Sequence, residues 1–171
     1  MEKSVFITGA TVNTGLGIAE KFAKEGYNLF LGSRNAENAE KTAKELSEKY
    51  GVYAKGYGMK IFDEENTKEI FTDIKNSGYS VDTLVLNAAN LGIRQQFFDV
   101  SIDDFMNVIN TNIGWNFMLS REAAIQMKEN GGGSIVFVNS NTAYRAIPDR
   151  IAYSASKSGA LGMMRALALD L

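Results

Sequence analysis

The chain has 171 residues, enough for one domain with a sizeable core, and 45% of them are hydrophobic and 22% charged, as in a globular protein. A formal net charge of -2 argues against nucleic acid as a partner, and no apolar run approaches the roughly 20 residues of a membrane span, so we expect a cytoplasmic protein. The sequence contains no His and no Cys, which excludes the Ser-His-Asp and Cys-His nucleophile systems and the usual zinc sites, and leaves acid-base chemistry to Tyr, Lys, Asp, Glu or Ser.

The first strand and the turn after it predict a phosphate-binding loop. Residues 4–8 are typical of a short buried strand, residues 9–17 are rich in glycine, and apolar residues then recur at helical spacing until Gly26. Such a turn brings backbone amides close to a pyrophosphate, and the helix that follows presents the positive end of its dipole. The alternative is a plain structural turn, but the position directly after the first strand favours phosphate binding.

The residues after the second strand bear on the choice between NAD and NADP if the fold binds a dinucleotide. Residues 27–31 predict a second strand, and residues 36–50 a helix with Asn35 as its N-cap. At this strand end, an acidic residue accepts from the ribose hydroxyl of NAD, whereas an Arg can hold the 2'-phosphate of NADP. The tip offers Ser33 and Arg34 and no acid, which favours NADP(H). The alternative for Arg34 is a solvated surface cation.

Two further strands follow, and the second of them predicts a ligand-binding edge. Residues 52–59 predict a third strand, and a helix begins at Asp63 or Asn66, whose acidic start indicates a helix N-terminus rather than a metal site. Residues 81–86 form a continuous apolar run, typical of a strand in a parallel sheet. Small residues at 87–90 directly after it leave room for a ligand.

The chain then predicts a long helix and a fifth strand. A capping box at Ser101 opens a helix that reaches about residue 129, and residues 134–139 predict a buried strand with Ser140 at its end. The helix carries four asparagines, which we interpret as a solvent face or as a run with one functional member: Asn107, Asn110, Asn112 and Asn116.

Tyr153 and Lys157 lie four residues apart, on one face of a predicted helix. A phenol and an ammonium can therefore share one pocket, and a neighbouring cation favours the ionised form of a phenol. The pair is a candidate proton donor with its charge partner beside it. The alternative is a half-buried ring and a solvated amine.

The strand and helix pattern repeats five times, which predicts an α/β fold: a Rossmann-like, doubly wound parallel sheet in three layers, α/β/α. The ligand crevice of such a sheet lies at the carboxyl ends of its strands. Every residue singled out falls at or just after one of those ends: Gly9 to Gly17, Arg34, Asn87, Ser140 and Tyr153.

These motifs resemble the short-chain dehydrogenase/reductase family over essentially the whole chain. Residues 8–17 look like its glycine motif, residues 87–89 are similar to its Asn-Asn-Ala-Gly stretch, and Ser140 stands at the family's spacing before the Tyr153-x-x-x-Lys157 signature. The resemblance implies four catalytic residues: Asn112, Ser140, Tyr153 and Lys157. It places cofactor binding at Tyr153 and Lys157 together with Gly9, Thr11, Thr14, Gly15, Leu16, Gly17, Ser33, Arg34, Asn87, Ala88 and Ala89.

The resemblance also implies the reaction, a reversible hydride transfer between NADP(H) and a carbonyl or secondary alcohol carbon of a small molecule. Tyr153 would protonate the oxygen, and Lys157 would favour the ionised phenol and hold the nicotinamide ribose. Ser140 would hydrogen-bond the substrate oxygen, and Asn112 would hold a water that connects Lys157 to solvent. No metal is implied. A homo-oligomer, dimer or tetramer, would pair the helices that follow Ser101 and Tyr153.

Several departures from the family pattern keep alternatives open. Five residues separate Gly9 from Gly15 where the usual pattern has three, as in enoyl-thioester reductases of the same superfamily, although those space Tyr and Lys more widely. A non-catalytic nucleotide-binding module is the other alternative. Lys60 replaces an Asp that often contacts adenine, and Trp115 replaces a Gly, for which core or subunit packing is the better interpretation.

Length is the largest departure. Family members continue for two more strands and a lid over the substrate. We therefore expect residues 1–171 to be a single dinucleotide-binding domain that lacks its C-terminal strands and lid, as a portion of a longer protein. The substrate is not predicted, because the segment that would shape its pocket is not in the sequence.

Overall fold

The computed structural model describes residues 3–171, which form one five-stranded sheet with helices on both faces. The strands are β1 (Ser4–Thr8), β2 (Asn28–Ser33), β3 (Ala54–Gly58), β4 (Thr83–Leu86) and β5 (Ser134–Phe137). The α-helices are α1 (Asn13–Lys24), α2 (Ala36–Tyr50), α3 (Glu64–Asn76), α4 (Ile102–Ile109), α5 (Trp115–Glu129) and α6 (Ile151–Asp170).

All strand pairs are parallel, and their order is β3-β2-β1-β4-β5. The chain moves outward from β1 to β3 and then crosses back, so that β4 pairs with the other side of β1. This reversal opens a crevice between β1 and β4 at their carboxyl ends. The predicted doubly wound α/β fold is confirmed.

Two apolar clusters hold the layers together, one on each face of the sheet. Alternate residues of β1 divide between them: Phe6 packs with Leu84 and Trp115, while Val5 and Ile7 pack on the opposite face. All five residues of β1 are buried, as expected for the central strand of a parallel sheet covered on both faces. The predicted core role of Trp115 agrees with its place in the first cluster.

Local capping signals set the helix starts. Asn35, Asp63 and Ser101 each accept a hydrogen bond through the side chain from the backbone amide three residues later, at 2.8, 2.9 and 3.0 Å. These bonds satisfy amides that have no partner within the helix. Gly51 ends α2 in the left-handed region with φ of 70°, where glycine carries no Cβ penalty.

Some element bounds differ from the sequence prediction. Strand β2 begins one residue later and extends to Ser33, because its parallel pairing with β1 and β3 carries it past the apolar run. Helix α1 begins at Asn13 rather than after the glycine-rich turn. The long helix after Ser101 contains a π-helical turn, Asn110–Gly114, that separates α4 from α5.

The outer side of β5 pairs with no strand among residues 3–171, and Val136 on this strand is 44% exposed. The expectation that the chain is one portion of a longer protein stays a prediction. In the described part of the chain, none of the helices has both the length and the apolar character required to cross a membrane.

A glycine on β3 provides a test of the packing between sheet and helix. A Cβ on Gly56 would overlap the backbone of α2 at Ala39 and Glu40, which cannot move aside as a flexible side chain can. We expect Gly56→Ala to lower the free energy of unfolding by about 1–3 kcal/mol. Urea titration measures this change. The control is Gly162→Ala, whose Cβ meets open space on α6 and should be neutral or stabilising. Equal stability of Gly56→Ala and the parent would contradict the packing.

Candidate active site

A cleft of about 800 Å³ lies at the carboxyl ends of β1, β2 and β4, where the strand order reverses. The cleft is lined by nine of the residues predicted to bind the cofactor: Gly9, Thr11, Thr14, Gly15, Ser33, Arg34, Asn87, Ala88 and Ala89. Three strands that are separate in sequence therefore deliver the predicted cofactor residues to one surface.

The glycine-rich turn forms the floor of this cleft. Gly9 has φ of 65°, a left-handed conformation that favours glycine. A Cβ on Gly15 would overlap the carbonyl of Gly9, so the first turn of α1 approaches the end of β1 too closely for any side chain. At these two glycines the backbone itself borders the cleft, and the positive end of the α1 dipole lies beside it. The glycine-rich turn and the N-terminus of α1 therefore fit a pyrophosphate.

Two residues of the predicted glycine motif lie outside the cleft. The side chain of Leu16 packs against the apolar cluster on its face of the sheet. Gly17 is exposed on α1, and a Cβ there would meet open space. Neither residue lines the cleft. Their role in cofactor binding stays a prediction.

Asn87 ties the loop after β4 to the glycine-rich turn. Its side-chain amide donates to the carbonyls of Thr8 at 3.0 Å and Gly9 at 3.2 Å. The hydroxyl of Thr8 accepts in return from the backbone amides of Asn87 and Ala88, both at 3.0 Å. These four bonds fix the two walls of the crevice against each other.

Arg34 gives the cleft a positive charge beside the end of β2. Arg34 is exposed on the cleft wall, and among residues 3–171 no carboxylate forms an ion pair with it. The hydroxyl of Ser33 accepts from Thr11 at 3.5 Å and from the backbone amide of Asn35 at 3.3 Å. No acidic side chain lines the cleft, whereas Lys60 is exposed just beyond β3.

Tyr153 and Lys157 lie on successive turns of α6, and the Lys157 ammonium is 5.7 Å from the centroid of the Tyr153 ring. Lys157 is only 7% exposed, and its ammonium donates to the carbonyl of Val138 at 2.9 Å. Burial lowers the pKa of this ammonium, because the charged form is penalised outside water. The alternative of a solvated amine at this position is wrong.

Asn112 occupies the π-helical turn and joins three segments. Its side-chain amide donates to the carbonyl of Asn90 at 2.8 Å and to the hydroxyl of Ser156 at 2.9 Å, while its side-chain oxygen accepts from the Asn90 amide at 2.7 Å. Its carbonyl accepts from the side chain of Asn116 at 2.9 Å. Asn112 and Asn116 are buried, so the solvent-face interpretation is wrong for these two asparagines.

Ser140 lies three residues after β5, which ends at Phe137 rather than at residue 139 as predicted, and begins a short 3-10 turn, Asn141–Ala143. Its hydroxyl oxygen accepts from the Thr142 hydroxyl at 2.8 Å and from the Thr142 backbone amide at 3.2 Å. The neighbouring Asn139 donates through its side chain to the carbonyl of Lys157 at 3.1 Å. The end of β5, where Ser140 lies, is therefore held to the second turn of α6.

The structure thus brings Tyr153, Lys157 and the Ser140 segment to one sheet edge, with Asn112 contacting the same helix through Ser156. The sequence motifs did not identify the residues whose hydrogen bonds connect these segments. Thr142, Asn90, Asn139 and Ser156 carry no motif of their own, and only their positions beside strand ends or Lys157 could have marked them.

The family model of the short chain dehydrogenases matches residues 3–171. The 3-oxoacyl-[acyl-carrier-protein] reductase FabG of Aquifex aeolicus is 31% identical over 99% of this chain and 68% of its own length. The 3beta-hydroxysteroid dehydrogenase of Mediterraneibacter gnavus is 32% identical over 99% of this chain and 60% of its own length. The chain therefore spans about three fifths to two thirds of these curated relatives.

Solved structures share the fold. An alcohol dehydrogenase from the archaeon Thermococcus sibiricus, complexed with 5-hydroxy-NADP, superimposes with a TM-score of 0.91 at 27% identity, over 99% of this chain and 72% of that one. A 3-ketoacyl-ACP reductase from Sinorhizobium meliloti gives a TM-score of 0.94 at 26% identity, over 98% and 66% of the two chains. With the family model matching almost every residue, the chain belongs to the short-chain dehydrogenase family.

Proposed function

We propose that this protein is an NADP(H)-dependent oxidoreductase that transfers hydride between the nicotinamide and the carbon of a carbonyl or secondary alcohol. The observation that carries the proposal is the pairing of Tyr153 with the buried ammonium of Lys157 on one face of α6. A buried cation beside a phenol ring, at the edge of a sheet that also holds a dinucleotide-sized cleft, supports proton transfer coupled to a redox cofactor.

The cleft fits a nicotinamide dinucleotide, which when bound supplies or accepts the hydride. Gly9 and Gly15 provide the backbone approach for the pyrophosphate, and the α1 N-terminus favours its negative charge. Asn87 holds the loop that carries Ala88 and Ala89 against this turn, so both walls stay in place around the cofactor.

Tyr153 acts as the general acid in carbonyl reduction and as the general base in alcohol oxidation. In reduction its phenol gives a proton to the substrate oxygen, a contribution that is typically about 10²- to 10⁴-fold. The Lys157 ammonium lies 5.7 Å from the centroid of the Tyr153 ring and is shielded from water, so it attracts the negative charge that proton transfer leaves on the phenol oxygen. Lys157 would also hold the nicotinamide ribose, as the family resemblance implies; neither Lys157 nor Tyr153 lines the cleft itself.

Ser140 and Asn112 complete the proposed set. The Thr142 hydroxyl donates to the Ser140 oxygen at 2.8 Å, and the Ser140 hydroxyl itself donates to the Asn141 side-chain oxygen over a long 3.4 Å. A substrate oxygen would replace Asn141 as the acceptor, and the bond from Thr142 would polarise the donating hydroxyl. Both amide hydrogens of Asn112 are engaged by Asn90 and Ser156, so we assign its water-holding role to the backbone carbonyl, which can accept a second hydrogen bond.

The preference for NADP(H) over NAD(H) follows from Arg34. A guanidinium on the cleft wall without a carboxylate partner in the described residues suits a 2'-phosphate, and the cleft offers no acid for a ribose hydroxyl. The Thermococcus sibiricus alcohol dehydrogenase, which is complexed with an NADP derivative, supports the same cofactor class.

Exposed apolar side chains support a homo-oligomer, dimer or tetramer, formed through the helices after Ser101 and Tyr153. Ile102 on α4, Phe117 and Ile125 on α5 and Ile151 on α6 are all exposed in the single chain. Pairing these helices between subunits would remove such surface from water. We retain the predicted cytoplasmic location as part of the proposal.

The first prediction tests the general acid. Tyr153→Phe removes the phenol hydroxyl and keeps the ring, so NADPH-dependent reduction of a ketone panel should fall by at least about 10²-fold. NADPH binding, followed by fluorescence, should stay nearly intact. Tyr144→Phe is the matched control, since Tyr144 is exposed in the loop before α6 and should be dispensable.

The outcomes separate the rival functions. Retained ketone turnover in Tyr153→Phe would refute the assignment. Turnover of a crotonyl thioester but of no ketone would indicate an enoyl-thioester reductase, which the long glycine turn of residues 9–15 resembles. NADPH binding without turnover of any probe would indicate a nucleotide-binding module.

The second prediction tests cofactor choice. Arg34→Ala should weaken NADPH binding roughly 10- to 100-fold, the loss expected when a charge-assisted contact of about 1.5–3 kcal/mol is removed. NADH binding should change little. Arg165→Ala, an exposed arginine on α6, is the control. Equal losses for NADPH and NADH, measured by calorimetric titration, would argue against a 2'-phosphate contact.

The third prediction concerns the buried ammonium. Burial lowers the folded-state pKa of Lys157, so the unfolded chain binds more protons between that pKa and the unfolded value of about 10.4. In this window the free energy of unfolding of the parent should rise with pH relative to Lys157→Met. Urea unfolding between pH 7 and 10 checks it, with exposed Lys128→Met as the control. Parallel pH curves for the parent and Lys157→Met would contradict the burial.

A further inference from the structure

Tyr153 lies on the first turn of α6, whose buried residues Ala152 and Ser154 follow an exposed loop. The turn begins at Arg150, whose side chain makes no capping bond to the helix. Residues 144–149, which lead into the helix, are all exposed, and Asp149 adopts φ of 59°, an unfavourable conformation for a residue with a Cβ. Lys157, one turn deeper, is buried and bonded to Val138, but that contact does not reach the helix start. The uncapped helix start therefore depends on contacts from outside the helix.

Arg150 supplies that restraint by reaching across to the loop after β4. One guanidinium nitrogen, Nη1, donates to the carbonyls of both Leu91 and Gly92, at 2.8 and 2.9 Å. The backbone adds a parallel link, since the amide of Gln95 donates to the carbonyl of Asp149 at 3.2 Å. Hydrogen bonds from a charged donor are among the stronger ones in proteins, and these lie at the edge of the first turn.

The same loop is fixed from its other side by groups already placed in the site. The Asn112 side chain bonds to both the backbone amide and the backbone carbonyl of Asn90. The Asn90 side chain in turn accepts from the amide of Gly92 at 2.9 Å. The segment from Asn90 to Gly92 is therefore held by hydrogen bonds on both sides. It continues directly from Asn87, Ala88 and Ala89, which wall the cofactor cleft.

We infer that Arg150 is a positioning residue that fixes the first turn of α6, and with it the phenol of Tyr153, relative to the cofactor cleft. The inference rests on the proposed role of Tyr153 as general acid. Arg150 does not itself line the cleft; it acts by joining the helix start to the loop after β4, in which Leu91 lines the cleft. Proton transfer requires close geometry, and a displacement of about 1 Å can cost roughly 100-fold in rate.

Arg150→Met tests this, because it keeps a long unbranched side chain and removes the donor. We expect kcat for ketone reduction to fall roughly 10- to 100-fold. KM for NADPH should change little, because the residues predicted to bind the cofactor make no contact with Arg150. Arg150→Lys should recover most of kcat, since an ammonium has three hydrogens and can donate to both carbonyls. Arg145→Met is the matched control: Arg145 is exposed in the same loop, and among residues 3–171 its side chain forms no hydrogen bond or ion pair.

Hydrogen exchange provides a readout that needs no turnover. The amide of Ser154 bonds to the carbonyl of Arg150 in the first turn, so its exchange should accelerate in Arg150→Met and not in Arg145→Met. Amides of β1 and β4 should keep their protection. Unchanged kcat in Arg150→Met, unchanged exchange at Ser154, or a loss of protection spread over the whole sheet would each overturn the inference. If the parent reduces no ketone, the proposed function fails, and the exchange data alone then decide whether Arg150 holds the turn.

Discussion

The hydrogen bond from the Lys157 ammonium to the carbonyl of Val138 is the interaction on which the site depends. A buried ammonium is costly unless it is paired or hydrogen-bonded, and here a single carbonyl at the end of β5 receives it. That bond fixes α6 against the central sheet, and the same helix carries Tyr153 one turn earlier. Buried charges of this kind are frequent at functional sites, which is why the proposed function rests on this group.

The second constraint is the crossing of the chain between β3 and β4. It places the ends of β1 and β4 side by side, and Asn87 then bonds the two loops across the crevice. Asn112 extends this network to α6 through Ser156, from a π-helical turn that interrupts an otherwise regular helix. π-Turns occur frequently at functional sites, because they redirect a side chain at the expense of regular hydrogen bonding. The cofactor cleft and the Tyr153 helix are in this way parts of one connected unit.

Much of this arrangement could be predicted from the sequence. The parallel, doubly wound sheet, the helix starts at Asn35 and Ser101, and the placement of Gly9, Asn87 and Tyr153 at strand ends follow from periodicity, capping and the geometry of parallel sheets. The π-helical turn and the contacts of Arg150 could not, because both depend on tertiary packing between segments distant in sequence. For the same reason the burial of Lys157 was one of two alternatives until α6 was placed against β5.

The most direct test of the account follows the hydride itself. The purified protein would be given NADPH deuterated at both C4 positions of the nicotinamide, with an acetoacetyl thioester, a crotonyl thioester and simple cyclic ketones as probes, and the products would be analysed by mass spectrometry. The account predicts deuterium on the carbon of the new alcohol, with the hydroxyl proton drawn from solvent. Deuterium on the β-carbon of a saturated thioester, or no transfer to any carbonyl, would contradict it.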